Sequence, residues 1–352
     1  MKRRRVWQRI VSLLLVFVMV FTVAEIQPDA DAFAAAKTPL ATHGRLAVKG
    51  ADLVDAKGRK FQLRGVSTHG INWDVGYPYV NKTLRDDWGA NAVRLAMYTS
   101  EYNGYCSGGN QAQLRNQIYK GVKYATELGM YVIIDWHILN DGNPMTQLAQ
   151  AKKFFATMSN KYKNQKNVIY EICNEPNGCS WTSIKSYATQ VIKVIRKYDK
   201  KAIIVVGTPT WSQLGSDGTH NEVANSPIKG YKNIMYSLHF YANEWSHNKY
   251  LPAKLDYARK KGIAVMVTEF GMSAAGGGGG INSSYTGKWL GKLNKYNISY
   301  FCWSLSNKNE SCSLLSSKTK KTSKWKTTEL SVAGRYIRSK YRARKKALGS
   351  KA

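Results

Sequence analysis

A (β/α)8 TIM barrel in a single catalytic domain is the fold this sequence predicts, and three observations predict it. Eight short apolar runs rich in β-branched residues recur along the chain. Amphipathic helix patterns lie between several of them, so that runs return roughly every 30 to 40 residues. The runs are apolar throughout rather than alternating, as parallel strands covered on both faces require. The rival topology, an open doubly wound sheet, needs a phosphate-binding glycine loop after an early strand, and the sequence has none there.

The elements follow in order. Residues 1–36 read as a secretory signal peptide: Lys2, Arg3, Arg4 and Arg5 precede an apolar stretch from Ile10 to Ala24, with small residues between Ala30 and Ala36. That stretch is too short and wrongly flanked for a membrane span. Residues 37–45 read as a linker. Leu46-Ala-Val and Asp52-Leu-Val, parted by Lys49-Gly50, predict a small hairpin. The strands are then expected at Phe61–Ser67, Ala92–Ala96, Tyr131–Asp135, Val168–Ile172, Ala202–Val206, Met235–Leu238, Ala264–Thr268 and Ser299–Trp303. The clearest helices are Gln111–Leu128, Gln147–Tyr162, Ser183–Tyr198 and Tyr285–Tyr296, with a last one near Glu329–Tyr341. Gly276 to Gly280 predict a mobile loop after the seventh strand. The barrel domain is bounded at 46–341, and 342–352 reads as a frayed basic tail.

Composition suits a globular enzyme rather than a disordered or membrane chain, with 43% hydrophobic residues. Ten Trp and 22 Tyr suit a glycan binder, because aromatic rings lie flat on the apolar faces of sugars. A formal net charge of +31 implies attraction to polyanions. With an export signal, those would be wall polymers, acidic glycans or anionic lipid surfaces rather than nucleic acid, although a merely solubilising role explains the same lysines. The five cysteines match no zinc spacing. Cys173 reads as a small buried hydrophobe, and one disulfide among the others stays open.

In such barrels the reactive groups stand at the C-terminal ends of the strands. Those ends carry His69 and Trp73; Arg94 and Tyr98; Asp135, Trp136 and His137; Asn174 and Glu175; Trp211; His239 and Tyr241; Glu269; and Trp303, Lys308 and Glu310. No metal-ligand cluster or Ser-His-Asp order competes with them, so neither metal nor cofactor is expected. Glu175 and Glu269 end the fourth and seventh strands. A retaining glycosidase needs two carboxylic groups about 5–5.5 Å apart, one protonated and one ionised. Arg94 can keep Glu269 charged by direct pairing. Trp136 and Phe240 alternate with the site residues and are expected to pack behind the barrel, while Asp135 is expected to make a structural hydrogen bond.

These residues sit in recognisable strings. VIYEICNEPNG around Glu175 resembles the acid/base motif of glycoside hydrolase family 5, and VTEFG around Glu269 resembles its nucleophile motif. RGVSTHGINW, AVRLAMYTSE, YVIIDWHILNDGNP, YSLHFYA and CWSLSNKNES are similar to the secreted bacterial endoglucanases of that family. The resemblance runs from about Leu46 to Leu315. It implies a secreted, monomeric, retaining endo-β-1,4-glucanase, with Glu175 as acid/base and Glu269 as nucleophile. It gives Asn174 the 2-hydroxyl of the sugar being cut, and His69 and His137 other hydroxyls of that sugar. Trp303 would stack beneath it, with Tyr98 among the binding residues. Trp73, Lys308 and Glu310 would hold the next sugar, and Trp211 the leaving side. His239 would orient Glu175, and Tyr241 would bond near Glu269. Mannan or xylan is the other substrate class such a catalytic set serves, and a non-catalytic wall-binding barrel is the reading from a different class. The strings depart from the family at Phe270, at Cys173 and in the short stretch after Trp211.

Overall fold

The structure, a computed structural model, describes residues 38–216 and 220–349. The expected signal peptide lies outside the described residues. Two short strands, β1 (Ala47–Lys49) and β2 (Asp52–Val54), form the expected hairpin. Eight parallel strands then close into a barrel. They are β3 (Arg64–Thr68), β4 (Ala92–Tyr98), β5 (Tyr131–His137), β6 (Val168–Glu171), β7 (Ile203–Val206), β8 (Ile234–Tyr241), β9 (Val265–Gly271) and β10 (Tyr300–Leu305). Each pairs with its neighbours in sequence, and β10 pairs with β3 to close the ring.

Longer helices wrap the barrel: α1 (Gln111–Glu127), α2 (Leu148–Tyr162), α3 (Trp181–Tyr198), α4 (Trp245–Lys260), α5 (Ser283–Tyr296) and α6 (Val332–Leu348). Asn110, Ser180, Asn282 and Ser331 cap α1, α3, α5 and α6, each accepting a backbone N–H of the first turn. Between β3 and β4 the helix shrinks to one wide turn at Leu84–Trp88. After β7 it is reduced to short turns at Pro209–Ser212 and Glu222–Asn225. The barrel is therefore complete in strands and abbreviated in helices.

Two domain limits move. Residues 38–45 are not a free linker: Pro39–His43 form a helical turn capped by Thr38. His43 is buried with Nδ1 3.1 Å from Asp55 Oδ2, and Leu40 N–H donates to Gly129 O. At the other end, α6 continues through Leu348 where a frayed tail is expected. Arg344 explains this, because it donates to Gln62 Oε1, Asn294 O and Asn297 Oδ1 and ties the last turns to the barrel.

The barrel interior is layered. At the closed end Leu46, Leu53, Phe61, Leu63, Tyr131, Ile133, Met266 and Phe301 form an apolar plug. One step further along the strands, the inward positions turn polar: Arg94, Asp135, Glu171, Ser237, His239 and Thr268 are all buried. Burial of so many polar groups is tolerable because they pair with one another, Asp135 Oδ1 alone among their side-chain atoms lacking a partner among the described residues. Trp136 and Phe240 face outward into the helix layer as expected, Trp136 against Phe154 and Phe240 stacked on Trp289. Cys173 is fully buried, and all five cysteines are free thiols. No helix among the described residues is long and apolar enough to cross a membrane.

Candidate active site

Arg94 is the hub of the polar layer. Its Nε donates to Glu171 Oε2 at 2.7 Å, its Nη1 to Glu269 Oε2 at 2.9 Å and its Nη2 to Asn174 Oδ1 at 2.6 Å. Nη2 also lies 3.0 Å from Asp135 Oδ2. One planar fork thus fixes residues from β5, β6, β9 and the β6–α3 loop. The guanidinium is wholly buried; burial alone would lower its pKa, but Asp135, Glu171 and Glu269 outweigh that and raise it.

Glu269 points inward because β9 carries an extra residue. Ser237 of β8 faces Met266 and His239 faces Glu269, so two residues of β8 span three of β9. The register of β10 shifts in the same place, with Tyr300 opposite Val267 and Cys302 opposite Phe270. Such a bulge re-aims a side chain, and here it lets both Thr268 and Glu269 face the interior. Tyr241 O–H donates to Glu269 Oε1 at 2.8 Å, so both carboxylate oxygens are held. The Tyr241 ring can approach because Gly271 has no Cβ; one built there would fall 2.4 Å from the ring.

Glu175 follows β6. Its backbone is brought close by Gly207, where a Cβ would lie 2.2 Å from Cys173 O. Glu175 Oε1 lies 2.8 Å from His239 Nδ1, while Oε2 has no hydrogen-bond partner among the described residues. His239 Nε2 lies 2.8 Å from Thr268 Oγ1. Thr268 Oγ1 contacts Ser237 Oγ, and Ser237 O–H donates to Glu171 Oε1 at 3.0 Å. Burial would push the His239 pKa down, but hydrogen bonding toward Glu171 and Glu175 and the charge of Glu269 raise it to about 9. As an imidazolium it donates from both nitrogens, to Glu175 and to Thr268. Glu171 is the anion at the other end; burial opposes its charge, yet Arg94 and His239 hold it at about 2.

His137 is in the opposite state. Its Nδ1 lies 2.6 Å from Asp135 Oδ2 and its Nε2 3.2 Å from Asn174 Nδ2. Nε2 accepts from the Asn174 amide, so the ring is neutral with its proton on Nδ1. Burial, then the charge of Arg94, lowers its pKa well below the usual value. Asp135 makes the structural bond expected of it.

The expected residues converge around one open cleft. His69, Tyr98, His137, Glu175, Trp211, His239, Tyr241, Glu269, Trp303, Lys308 and Glu310 all line it. The Trp303 ring packs 5.4 Å from His69 and 5.2 Å from His137, forming an aromatic floor. Trp73 stands at the edge, 42% exposed and with its ring 4.5 Å from that of Tyr98 at a tilt of 39°, its Nε1–H donated to Tyr102 O. Lys308 Nζ and Glu310 Oε2 pair with each other at 2.6 Å. Trp211 is 44% exposed on the opposite rim. It sits in a left-handed turn with Thr210 and Ser212, at φ of 58, 52 and 60° in chain order. That backbone costs energy in non-glycine residues. Trp211 N–H to Pro176 O and Ser212 Oγ–H to Asn174 O hold it against the Glu175 segment. Arg94 and Asn174 lie beneath this surface, fully buried. The glycine-rich loop borders the cleft with Ala275 to Gly277 and is tied on both sides. Asn243 Nδ2–H donates to Gly279 O, Ala275 N–H to Glu244 Oε1 and Gly280 N–H to Ser311 Oγ.

Three residues of the network were not singled out from the sequence: Glu171, Ser237 and Thr268. Glu171 carried a usable signal, an acid ending an apolar run two residues after inward-facing Ile169.

One oxygen each of Glu175 and Glu269 lies within 4.8 Å of the other. That spacing matches the close two-carboxylate layout of a retaining glycosidase rather than the wider one of an inverting enzyme. A barrel bearing this pair at its strand ends defines the class, a glycoside hydrolase. Residues 54–309 match the family described as Cellulase (glycosyl hydrolase family 5), and the chain belongs to that family. Endoglucanase 5 of Pectobacterium carotovorum subsp. carotovorum is 42% identical over 312 residues, 87% of this chain and 59% of that protein. An endoglucanase of Clostridium saccharobutylicum is 42% identical over 330 residues, 93% of this chain and 70% of that one. Among solved structures, the catalytic domain of Thermobifida fusca endoglucanase Cel5A (E5) is similar at TM-score 0.80 and 35% identity, covering 87% of this chain and 99% of that one.

Proposed function

We propose that this protein is a secreted endo-β-1,4-glucanase that cleaves internal bonds of cellulose or related β-glucans with retention of anomeric configuration. The observation that carries the reading is the close approach of Glu175 and Glu269, with both oxygens of Glu269 held and Oε2 of Glu175 left open to the cleft. The endoglucanase relatives support the substrate class, as does a T. fusca Cel5A variant solved in complex with cellotetraose. Export rests on the leader pattern of residues 1–36.

In this reading Glu269 attacks the anomeric carbon while Arg94 and Tyr241 hold and aim its two oxygens. Glu175 donates the proton on Oε2 to the departing glycosidic oxygen, its Oε1 steadied by the His239 imidazolium. A glycosyl–Glu269 ester results. Glu175, now a carboxylate, takes a proton from water, and the hydroxide oxygen displaces Glu269. Trp303 would stack under the reacting sugar. Asn174 would give its 2-hydroxyl one of the N–H groups that here bond Ile138 O and His137 Nε2. His69 and His137 would meet its other hydroxyls. Trp73, Lys308 and Glu310 would bind on one side of the bond and Trp211 on the other.

Viscometry with reducing-sugar assay on carboxymethyl cellulose, mixed-linkage glucan, mannan and xylan tests this. A steep viscosity fall at low release of reducing ends, on the glucans alone, is expected. Faster cleavage of mannan or xylan would overturn the substrate assignment.

A further inference from the structure

The chain's excess positive charge is not spread evenly over the barrel. Lys308 is the one Lys or Arg in the segments that lead out of the strands at 69–81, 99–110, 138–147, 172–180, 207–216, 242–244, 272–282 and 306–317, the last being the first part of the β10–α6 connection. Those segments form the catalytic face and carry Asp74, Glu101, Asp141, Glu175, Glu244 and Glu310. The cations gather instead from Lys318 to Lys346, in the rest of the β10–α6 connection and in α6, where the single acid is Glu329.

Between that connection and α6 lies a second groove that shares no residue with the catalytic cleft. The Leu84–Trp88 turn, the segment Lys324–Thr327 and α6 enclose it, and Lys82, Lys324, Lys326, Arg338 and Arg342 line it. Its two acids are both taken. Asp86 pairs with Arg85 at 2.7 Å, and Asp87 is held by Arg338 at 3.6 Å and by Arg342. Lys82, Lys324 and Lys326 are exposed and form no ion pair among the described residues.

Their presentation is fixed. Trp325 is 3% exposed, packs on Tyr79 and Trp88, and donates Nε1–H to Lys321 O. Lys324 and Lys326, the chain neighbours of that anchored ring, are both exposed at the groove. Lys324 adopts φ of 51° and donates its N–H to Thr83 Oγ1. A strained lysine held by a buried neighbour is costly for a residue that serves only solubility.

We propose that this groove binds a strand of acidic polysaccharide through its carboxylates, holding the barrel on such a polymer while the cleft stays free for neutral glucan. The free cations are lysines, which act as point charges, while the Arg forks are occupied by Asp87. Recognition is therefore by charge density rather than by bidentate shape, and a linear polyuronate supplies regularly repeated carboxylates. The acidic catalytic face repels the same polymer, so docking and hydrolysis do not compete.

The test is retention of the full chain on immobilised polygalacturonate, read as a dissociation constant at low and high salt. The triple variant Lys82→Gln, Lys324→Gln, Lys326→Gln should bind on the order of tenfold more weakly and with a shallower salt dependence. It should hydrolyse soluble glucan at the unaltered rate. A control of equal charge change on α2, Lys152→Gln, Lys153→Gln, Lys161→Gln, should keep most of the affinity. Equal loss in both variants, binding indifferent to salt, or inhibition of glucan hydrolysis by polygalacturonate would overturn the proposal. So would tighter groove-dependent binding to duplex DNA or to phosphatidylglycerol vesicles than to polygalacturonate. None of these readouts depends on which neutral glycan the cleft cleaves.

Discussion

Arg94 and Glu171 form a wholly buried ion pair at 2.7 Å beneath the cleft, and neither reaches its surface. Through it the two glutamates of the cleft, Glu175 and Glu269, are joined. Arg94 holds Glu269 directly, and Glu171 supports His239, and so Glu175, by way of Ser237 and Thr268. The variant Glu171→Gln keeps the shape and removes the charge. It should destabilise the fold by about 3–5 kcal/mol, the usual effect of leaving one partner of a buried pair uncompensated. Its kcat should fall on the order of tenfold or more with KM little changed. Denaturant unfolding and steady-state kinetics check both; a variant of full stability and full kcat would remove Glu171 from the account.

The His239 pKa makes stability depend on pH in a fixed direction. Its folded value, about 9, lies above the unfolded value near 6.5. The native state therefore binds the proton more tightly. The stabilisation is complete below pH 6.5 and is lost as pH rises toward 9, by up to about 3 kcal/mol. Glu171 acts in the opposite sense. Its pKa is lowered to about 2, so its contribution is complete above roughly pH 4.5 and is lost as pH falls toward 2. Unfolding free energies measured from pH 6 to pH 9.5 should decline in the wild type, and more shallowly in His239→Gln. A parallel decline in both would show that His239 is not the titrating group.

Trp211 stands 44% exposed on the rim, and an aromatic platform there should hold a sugar equally well in ground and transition states. Trp211→Ala should raise KM about tenfold on long glucans and leave kcat nearly unchanged. Kinetics on a series of cellooligosaccharides would show the effect growing with chain length. A loss confined to kcat would place the residue in the chemical step instead.

Glu175 is read as the proton donor, so its importance should scale with the basicity of the leaving group. In Glu175→Gln, turnover of glucan should fall by about 10²–10⁴. Cleavage of an aryl cellobioside with an acidic phenol as leaving group should fall far less. Equal loss on both substrates would contradict the acid role.

The strand order was legible in the sequence because parallel strands buried on both faces are uninterrupted apolar runs, and each expected run lies on an observed strand. The helices were less so. The α4 segment contains Pro252, which reads as a helix breaker, and its polar residues blur the amphipathic stripe. The candidate pair was legible as two glutamates at the ends of apolar runs, in strings that resemble a family, but the inward turn of Glu269 was not. Alternation along β9 would send Thr268 inward and Glu269 outward; the bulge that turns both inward has no signature in VTEFG. Glu171 was passed over because an acid at the end of an apolar strand reads as solvent-exposed, whereas the barrel closes around it. The helix through Leu348 was missed because its last basic residues are secured by distant partners, Gln62 and Asn294 among them.

The central claim is that Glu269 attacks the sugar and Glu175 serves it as acid and then base. Proton NMR of the first product formed from a cellooligosaccharide, recorded before mutarotation, tests it most directly. Two successive inversions at the anomeric carbon return the original configuration, so the β-anomer should appear first and the α-anomer only as mutarotation proceeds. An initial α-anomer would mean direct attack by water, which requires carboxylates roughly 6.5–9.5 Å apart, and would contradict both the role of Glu269 and the geometry of the cleft.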